Sequence, residues 1–183
     1  FSYSNSWSDS CSNHVKSMNI PKYIIVHHEA PSIVSLGPRL LIVNDYHRQK
    51  GFPKSELKFY VGYHKFIEKN GEIITTRNDY EEGAHTKGYN LQSLGVCLAG
   101  NFDLELPTQA QIKSLRETLS NWQKEYKIKN KDIVPHRVFA QKSCYGSRLS
   151  DSWACNLLIE DQRIYILKAL VEAYKKLLSL LKK

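Results

Sequence analysis

"YIIVHH", Tyr23–His28, is the most informative short segment of the sequence for the fold. Its first four residues are apolar or aromatic β-formers, and its last two are histidines. A short continuous run of this kind is typical of a strand that is buried on both faces of a sheet. The sequence therefore predicts a central strand whose end presents two imidazoles.

Two further elements are predicted just downstream of this strand. Pro38 suits the first turn of a helix and Gly51 suits a helix end, so the residues between them predict a helix of about three turns. Asn70-Gly71 lies between two alternating segments in "YHKFIEKNGEIITTR", and this dipeptide is a strong β-hairpin signal. We therefore expect a helix followed by two antiparallel strands.

The next part of the chain completes the predicted sheet. "SLGVCLAGNF", Ser93–Phe102, predicts a second buried strand. Thr108 and Gln111 form a capping box, which predicts the start of a second helix. "DIVPHRV" predicts a last short strand or extended segment with His136 at its end. Helices that alternate with buried strands indicate an α/β fold, a central mixed β-sheet flanked by helices.

The two ends of the chain differ from this middle region. Residues 1–20 are rich in Ser and Asn, which predicts an irregular arm or linker, and residues 21–152 are expected to form the domain. Residues 153–183 predict a long C-terminal amphipathic helix with lysines in its last turn. Such a helix packs on its own domain, self-associates with a second copy or lies on a membrane surface, and the pattern favours packing. The apolar positions that recur at spacings of three and four are Ile164, Leu167, Val171, Tyr174, Leu178 and Leu181.

The chain is basic, with 26 Lys plus Arg against 18 Asp plus Glu and a formal net charge of +8. This charge indicates either an ordinary solvated surface or an anionic partner such as nucleic acid, an anionic membrane surface or an acidic cell-wall polymer. The cations are scattered and no RNA-binding aromatic run or helix-turn-helix signature occurs, so no nucleic-acid partner is predicted. No uninterrupted apolar run approaches the ~20 residues that span a bilayer, so no integral membrane segment is predicted either.

Cysteine usage and the first residue bear on where the protein works. The four cysteines are too few for a disulfide scaffold, so we expect most of them to be reduced. Cys11 with Cys155 is the one pairing that merits a test. The chain begins with Phe1 rather than Met, so we expect that a leader or a preceding segment is missing from this sequence. The sequence leaves the route of export open.

His27, His136 and Cys144 are candidate metal ligands. His27 lies at the end of the central strand, and "HRVFAQKSC" places His136 eight positions before Cys144. Two imidazoles and one thiolate, with a fourth position open, are typical of catalytic zinc. The spacing alone leaves the alternative that the histidines are structural and the cysteine is a small buried apolar residue.

Several ordered segments give a resemblance to a known family. They are "IIVHHEA", "HRQKGF" with "VGYHKFIEKNGEI", "GAHTKGYNLQSLGVCLAGNF", and "PTQAQIKSL" with "IVPHRVFAQKSC". In this order they resemble the zinc-dependent N-acetylmuramoyl-L-alanine amidases, a family that includes phage amidase endolysins, bacterial cell-wall amidases and peptidoglycan recognition proteins. The resemblance covers about residues 21–150. It implies a mixed sheet flanked by helices, with a zinc-bearing groove on one face.

The resemblance also implies roles for individual residues. It matches His27, His136 and Cys144 to the ligands of a zinc cofactor. It matches Tyr63 to the catalytic tyrosine and Lys142 to a lysine found in the phage-type members. Lys142 would stabilise the oxyanion of the reaction, and Tyr63 would hold the attacking water or donate to the leaving nitrogen.

Three further residues match positions on the groove wall, and two segments depart from the family pattern. His85, Thr86 and Asn90 in "GAHTKGYN" are expected to contact the substrate, although His85 equally suits a structural role. The third ligand is followed by Tyr145 where the family usually has proline, so the loop loses the φ restraint that proline gives. The segment Asn78-Asp79 differs from the pairs common in recognition proteins, which leaves the preferred stem peptide undecided.

The implied function is that of an enzyme acting on the cell wall. A zinc amidase would hydrolyse the amide bond between N-acetylmuramic acid and the L-alanine of the stem peptide of peptidoglycan. The alternative is a non-catalytic module of the same fold that binds peptidoglycan without cleaving it. Non-catalytic members typically lose the third ligand, often to serine, so Cys144 favours the enzyme. A structural zinc domain with an unrelated partner is the least favoured hypothesis.

Overall fold

The computed structural model describes residues 18–30 and 38–181, and a five-stranded sheet lies at the centre. The strands are β1 (Tyr23–His28), β2 (Lys65–Ile67), β3 (Ile73–Thr75), β4 (Ser93–Leu98) and β5 (Ile133–Pro135). The α-helices are α1 (Arg39–Gln49), α2 (Gln109–Tyr126) and α3 (Trp153–Leu181). Single 3₁₀ turns lie at Asn130–Asp132 and His136–Val138.

The prediction that "YIIVHH" forms a buried central strand is confirmed. In the strand order β3-β2-β4-β1-β5, β1 lies between β4 and β5 and is parallel to both. β2 is parallel to β4, and only the hairpin pair β2–β3 is antiparallel, so the sheet is mixed as expected. The carboxyl ends of parallel strands meet at one edge of a sheet. His27 at the end of β1 and His136 after β5 therefore lie at the same edge.

Helices cover both faces of this sheet. Ile24 and Val26 of β1 pack on one face in a large apolar cluster that includes Trp122 of α2. Cys97 of β4 points to the other face and packs with Leu40 of α1. Because strand side chains alternate between faces, each strand contributes to both clusters. This two-sided burial explains why β1 and β4 are almost continuously apolar.

The local signals for the helices and the hairpin are also confirmed. α1 begins after Pro38. The capping box of α2 is present, because the Thr108 hydroxyl accepts from the Gln111 amide and the Gln111 side chain accepts from the Thr108 amide, both at 3.1 Å. Gln111 also donates to the carbonyl of Ala99 at 2.8 Å, which ties the start of α2 to the sheet. Gly71 in the hairpin turn has a φ of +88°, a conformation that few other residues adopt.

The N-terminal arm lies mostly outside the described residues, as does the proposed partner Cys11 of Cys155. Asn19 is buried, and its side chain donates to the carbonyls of Asp79 and Ser93, both at 3.0 Å. The chain just before Pro21 therefore already packs against the domain.

The C-terminal helix α3 is continuous over 29 residues. Ala154, Leu157 and Leu158 near its start are buried in the large apolar cluster. Residues 163–181, in contrast, are exposed along their whole length. Packing on its own domain, one of the alternatives, is therefore wrong for this part, and packing on a second copy stays a prediction. Among the described residues, no helix combines the length and the apolar character needed to cross a membrane.

Candidate metal centre and groove

A groove opens at the edge of the sheet where β1 and β5 end. Its lining brings together all five residues that the sequence assigned to metal binding or catalysis, namely His27, Tyr63, His136, Lys142 and Cys144. Parallel strand ends deliver the histidines. The loop from Phe139 to Gly146 folds back over the strand ends and brings Lys142 and Cys144 to the same place.

His27, His136 and Cys144 form a compact group of donor atoms. One ligand-type atom from each residue lies within 4.8 Å of the others. The Cys144 Sγ is 3.6 Å from the His27 Nδ1, and the two imidazole centroids are 4.5 Å apart. Two imidazole nitrogens and one sulfur are the donors that zinc prefers, and three protein donors leave a position open. The donor set therefore fits a catalytic zinc ion.

Burial sets the protonation of this group. It holds the pKa of His27 well below 6.5, and the neighbouring His85 and His136 lower it further. Burial and the nearby Lys142 lower the pKa of His136 to about 4. Both imidazoles are therefore neutral at neutral pH, which is the form that ligates metals. Burial raises the pKa of the Cys144 thiol to about 12, so a metal that binds there must displace a proton.

His85 lies behind His27 rather than beside Cys144. Its Nδ1 is 3.1 Å from the His27 Nε2, on the opposite side of the ring from the sulfur. A Cβ at Gly95 or Gly83 would lie 2.6 or 2.5 Å from the His85 ring, so these glycines leave the room that His85 occupies. A partner on the second nitrogen of a ligating histidine fixes the orientation of its ring.

Thr86 and Asn90, predicted to contact substrate, are occupied by contacts within their own loop. Thr86 is buried, and its hydroxyl is 3.0 Å from the His85 Nδ1. The Asn90 side-chain oxygen accepts from the amides of His85 at 3.0 Å and Thr86 at 2.9 Å. Of the three wall residues only His85 lines the groove among the residues described. Direct contact of Thr86 and Asn90 with substrate stays a prediction, and their contacts brace the loop that holds His85.

Tyr63 lies on the groove wall next to the metal-type donors. Its ring centroid is 4.9 Å from that of His27 and 5.6 Å from that of His47. Burial raises the pKa of Tyr63 well above 10, with smaller contributions from Cys97 and Cys144. The hydroxyl is therefore protonated at neutral pH and can act as a hydrogen-bond donor.

Lys142 is an exposed cation at the rim of the same groove. It lies close enough to lower the pKa of His27, His136 and Cys144 through its charge. A positive charge at this distance from the donors can stabilise negative charge that develops on a substrate carbonyl.

The loop that carries Cys144 is held by Tyr145, the residue that replaces the usual proline. Tyr145 is fully buried, and its hydroxyl lies 2.8 Å from the Ser150 carbonyl and 3.0 Å from the Asp151 carbonyl. Arg137 lies over the Tyr145 ring and donates to the carbonyl of Gly146 at 2.7 Å. Burial and these hydrogen bonds supply the order that the missing proline would otherwise give.

The groove contains further residues to which the sequence assigned no role. His47 and Phe52 stack with ring centroids 4.3 Å apart, and both line the groove. Glu29 also lines it, but Arg39 and the Gly100 amide already engage that carboxylate. Lys50 adds a second cation. "HRQKGF" contains three of these four groove residues, His47, Lys50 and Phe52, but no local pattern indicated which side chains would face the groove.

The chain is similar to known amidases in sequence and in structure. A model of the N-acetylmuramoyl-L-alanine amidase family matches residues 17–147. The endolysin of Escherichia phage T7 is 32% identical over 127 residues, which are 66% of this chain and 78% of the endolysin. The solved N-acetylmuramoyl-L-alanine amidase LysC from Clostridium intestinale URNW matches with a TM-score of 0.61 and 27% identity, over 71% of this chain and 79% of LysC.

A third comparison supports the fold alone. Drosophila PGRP-LB matches with a TM-score of 0.60 and 24% identity, over 73% of this chain and 81% of that protein. The family match spans most of the chain and includes every residue of the donor group. This chain belongs to the N-acetylmuramoyl-L-alanine amidase family.

Proposed function

We propose that this protein is a zinc-dependent peptidoglycan amidase that hydrolyses the bond between N-acetylmuramic acid and the L-alanine of the stem peptide. One observation carries the proposal: His27, His136 and Cys144 converge in an open groove of a chain that belongs to this family. Residues 21–152 would form the catalytic domain and 153–183 an appended helix. The site of action would be the cell wall.

The three donors would hold the zinc ion. Zinc at such a site polarises a carbonyl and lowers the pKa of water to about 7. Neutral His27 and His136 offer lone pairs without losing a proton. The Cys144 thiol gives up its proton on binding, and Lys142 favours the thiolate through its charge.

Lys142 and Tyr63 would act on the substrate itself. Attack on the amide carbonyl places negative charge on its oxygen, and Lys142 at the groove rim would stabilise that charge. Tyr63 keeps its proton at neutral pH because burial raises its pKa. It would therefore donate a hydrogen bond to the attacked group or to the leaving nitrogen rather than remove a proton.

His85 would be a positioning residue for His27. Its Nδ1 is 3.1 Å from the His27 Nε2, so it would fix the ring of His27 with Nδ1 turned towards Cys144. Asn90 and Thr86 would act one step further out, because both hold the backbone or the ring of His85. This positioning role would add to the predicted substrate contacts of the three residues.

A non-catalytic peptidoglycan-binding module of the same fold is the second candidate, as the resemblance to recognition proteins implies. The presence of Cys144 beside Lys142 and Tyr63 argues against it. A purified muropeptide with an intact lactyl–L-alanine bond, analysed by mass spectrometry, separates the two. The enzyme yields free peptide and free sugar, whereas the binding module returns the muropeptide intact while retaining it on a column of immobilised protein.

A further inference from the structure

The outer part of α3 carries an unusual concentration of exposed apolar side chains. Among the residues that the structure describes, 22 large apolar side chains are exposed, and 11 of them lie between residues 164 and 181. The other 11 are distributed over the rest of the described chain. Isolated exposed leucines are ordinary on a protein surface, but a contiguous apolar surface of this kind marks an interaction site.

The apolar side chains of this segment cover most of the helix circumference. Successive residues of an α-helix are rotated by about 100°, which sorts residues 163–181 by direction. Beyond the first turn, the polar residues occupy a sector of about 100°, and the apolar ones occupy an arc of about 200° on the other side of the helix. The polar sector contains Lys168, Glu172, Lys175, Lys176 and Ser179.

This arc is too wide for a single partner helix. A coiled-coil seam uses two positions in seven, a much narrower stripe than the one observed here. Pairing with a second copy would leave leucines such as Leu167 and Leu180, on opposite flanks of the arc, exposed to water. A lipid surface, in contrast, accepts a helix with a broad apolar face lying in its plane.

The charge of the segment favours an anionic surface. Residues 163–181 contain four cations and a single anion, Glu172, which pairs with Lys175 at 2.8 Å. Lys168 of α3 and Lys124 of α2 both line a second pocket, between α2 and α3 and away from the metal-site groove. Positive charge therefore continues from α3 onto the domain. Lysines on the polar face of an amphipathic helix strengthen binding to anionic lipids.

We propose that residues 163–181 of α3 lie flat on the surface of an anionic lipid bilayer, with the apolar arc in the acyl boundary and the lysines towards the head groups. The segment is about 28 Å long at 1.5 Å per residue. It binds the surface rather than crossing the bilayer, since no described helix is apolar enough to span. The buried start of the helix, at Ala154 and Leu157, fixes the segment to the domain.

The test is co-sedimentation of the full chain with two kinds of vesicle, phosphatidylcholine alone and phosphatidylcholine mixed with phosphatidylglycerol. We expect binding to the anionic vesicles, weaker binding to the neutral ones, and a loss of binding at high salt because salt screens the lysines. Each lysine near an anionic surface contributes about 5-fold to the affinity. The double variant Lys168→Gln, Lys176→Gln should therefore bind anionic vesicles about 30-fold more weakly.

A matched pair of double variants tests the apolar arc. Leu170→Asp with Leu177→Asp should abolish binding to both kinds of vesicle. Leu104→Asp with Leu106→Asp changes two leucines of similar exposure on the domain and should leave binding unchanged. All four positions are exposed, so the fold should survive, and circular dichroism checks this.

A fluorescent reporter separates lipid from a second copy as the occupant. Tryptophan introduced by Leu170→Trp should shift its emission to the blue when anionic vesicles are added but not in buffer alone, and brominated acyl chains should quench it. Two results together would overturn the proposal in favour of self-association. They are a blue shift without lipid, and oligomers of the chain that are absent in the double variant Leu170→Asp, Leu177→Asp. Failure of the unaltered chain to sediment with anionic vesicles at low salt would also overturn it.

Discussion

Tyr145 should be an anchor of the loop that carries Cys144, and two substitutions test this. Tyr145→Phe removes only the hydroxyl, which lies 2.8 Å from the Ser150 carbonyl and 3.0 Å from the Asp151 carbonyl. One lost hydrogen bond and a carbonyl left without its donor cost about 1–2 kcal/mol of the free energy of unfolding. Tyr145→Ala also removes a fully buried ring, which costs about 3–5 kcal/mol.

Thermal unfolding and zinc titration measure the two consequences. At roughly 2–4 °C per kcal/mol for a chain of this size, Tyr145→Phe should lower the Tm by roughly 2–8 °C and Tyr145→Ala by roughly 6–20 °C. Loosening of the loop in Tyr145→Ala should weaken zinc binding about 10- to 100-fold. Tyr165→Ala, at an exposed position of α3, is the matched control and should change neither quantity. A Tyr145→Ala protein with the Tm and zinc affinity of the unaltered chain would refute the anchoring role.

Three further predictions concern the metal, the chemistry and the pH dependence of stability. The protein should hold about one zinc per chain, and Cys144→Ala or His27→Ala should lose it; full zinc in both variants by elemental analysis would disprove the ligand assignment. Lys142→Ala should lower kcat about 10²- to 10³-fold at unchanged zinc content, Tyr63→Phe should behave similarly, and a kcat within about twofold of normal for Lys142→Ala would end the claim. Burial lowers the pKa of His64 from 6.5 to about 4, so the unfolded chain binds more protons than the folded one between these values. The free energy of unfolding should therefore fall as the pH drops through this window, and urea titrations that show no such fall would contradict the buried, neutral state of His64.

Local signals were sufficient to predict the elements that frame the site. The apolar run before His27 predicts a central strand because only a strand buried on both faces accommodates it. The hairpin turn at Asn70-Gly71 and the start of α2 at Thr108 are determined by contacts between residues a few positions apart. Both could therefore be predicted without knowledge of the rest of the chain. The parallel arrangement of β1 and β5 then places His27 and His136 at one edge. The loop that ends at Cys144 then adds the third donor to these two histidines.

Contacts between distant segments could not be predicted in the same way. His85 reaches His27 across 58 positions of sequence, and only the fold places the two rings together. The anchoring of Tyr145 depends on burial against the start of α3, which no short pattern indicates. The periodicity of α3 predicted a helix with an apolar face, but it could not tell whether the domain would cover that face.

The central claim is that the groove cleaves the bond between N-acetylmuramic acid and L-alanine with the help of zinc. The most direct measurement is digestion of purified peptidoglycan by the protein, with new N-terminal L-alanine and new reducing sugar ends followed in parallel. We expect new L-alanine amino groups without new reducing ends, inhibition by a chelator with recovery on added zinc, and no release by Cys144→Ser. Release that persists in Cys144→Ser or in excess chelator, or the absence of any new L-alanine amino group from the zinc-loaded protein, would contradict it.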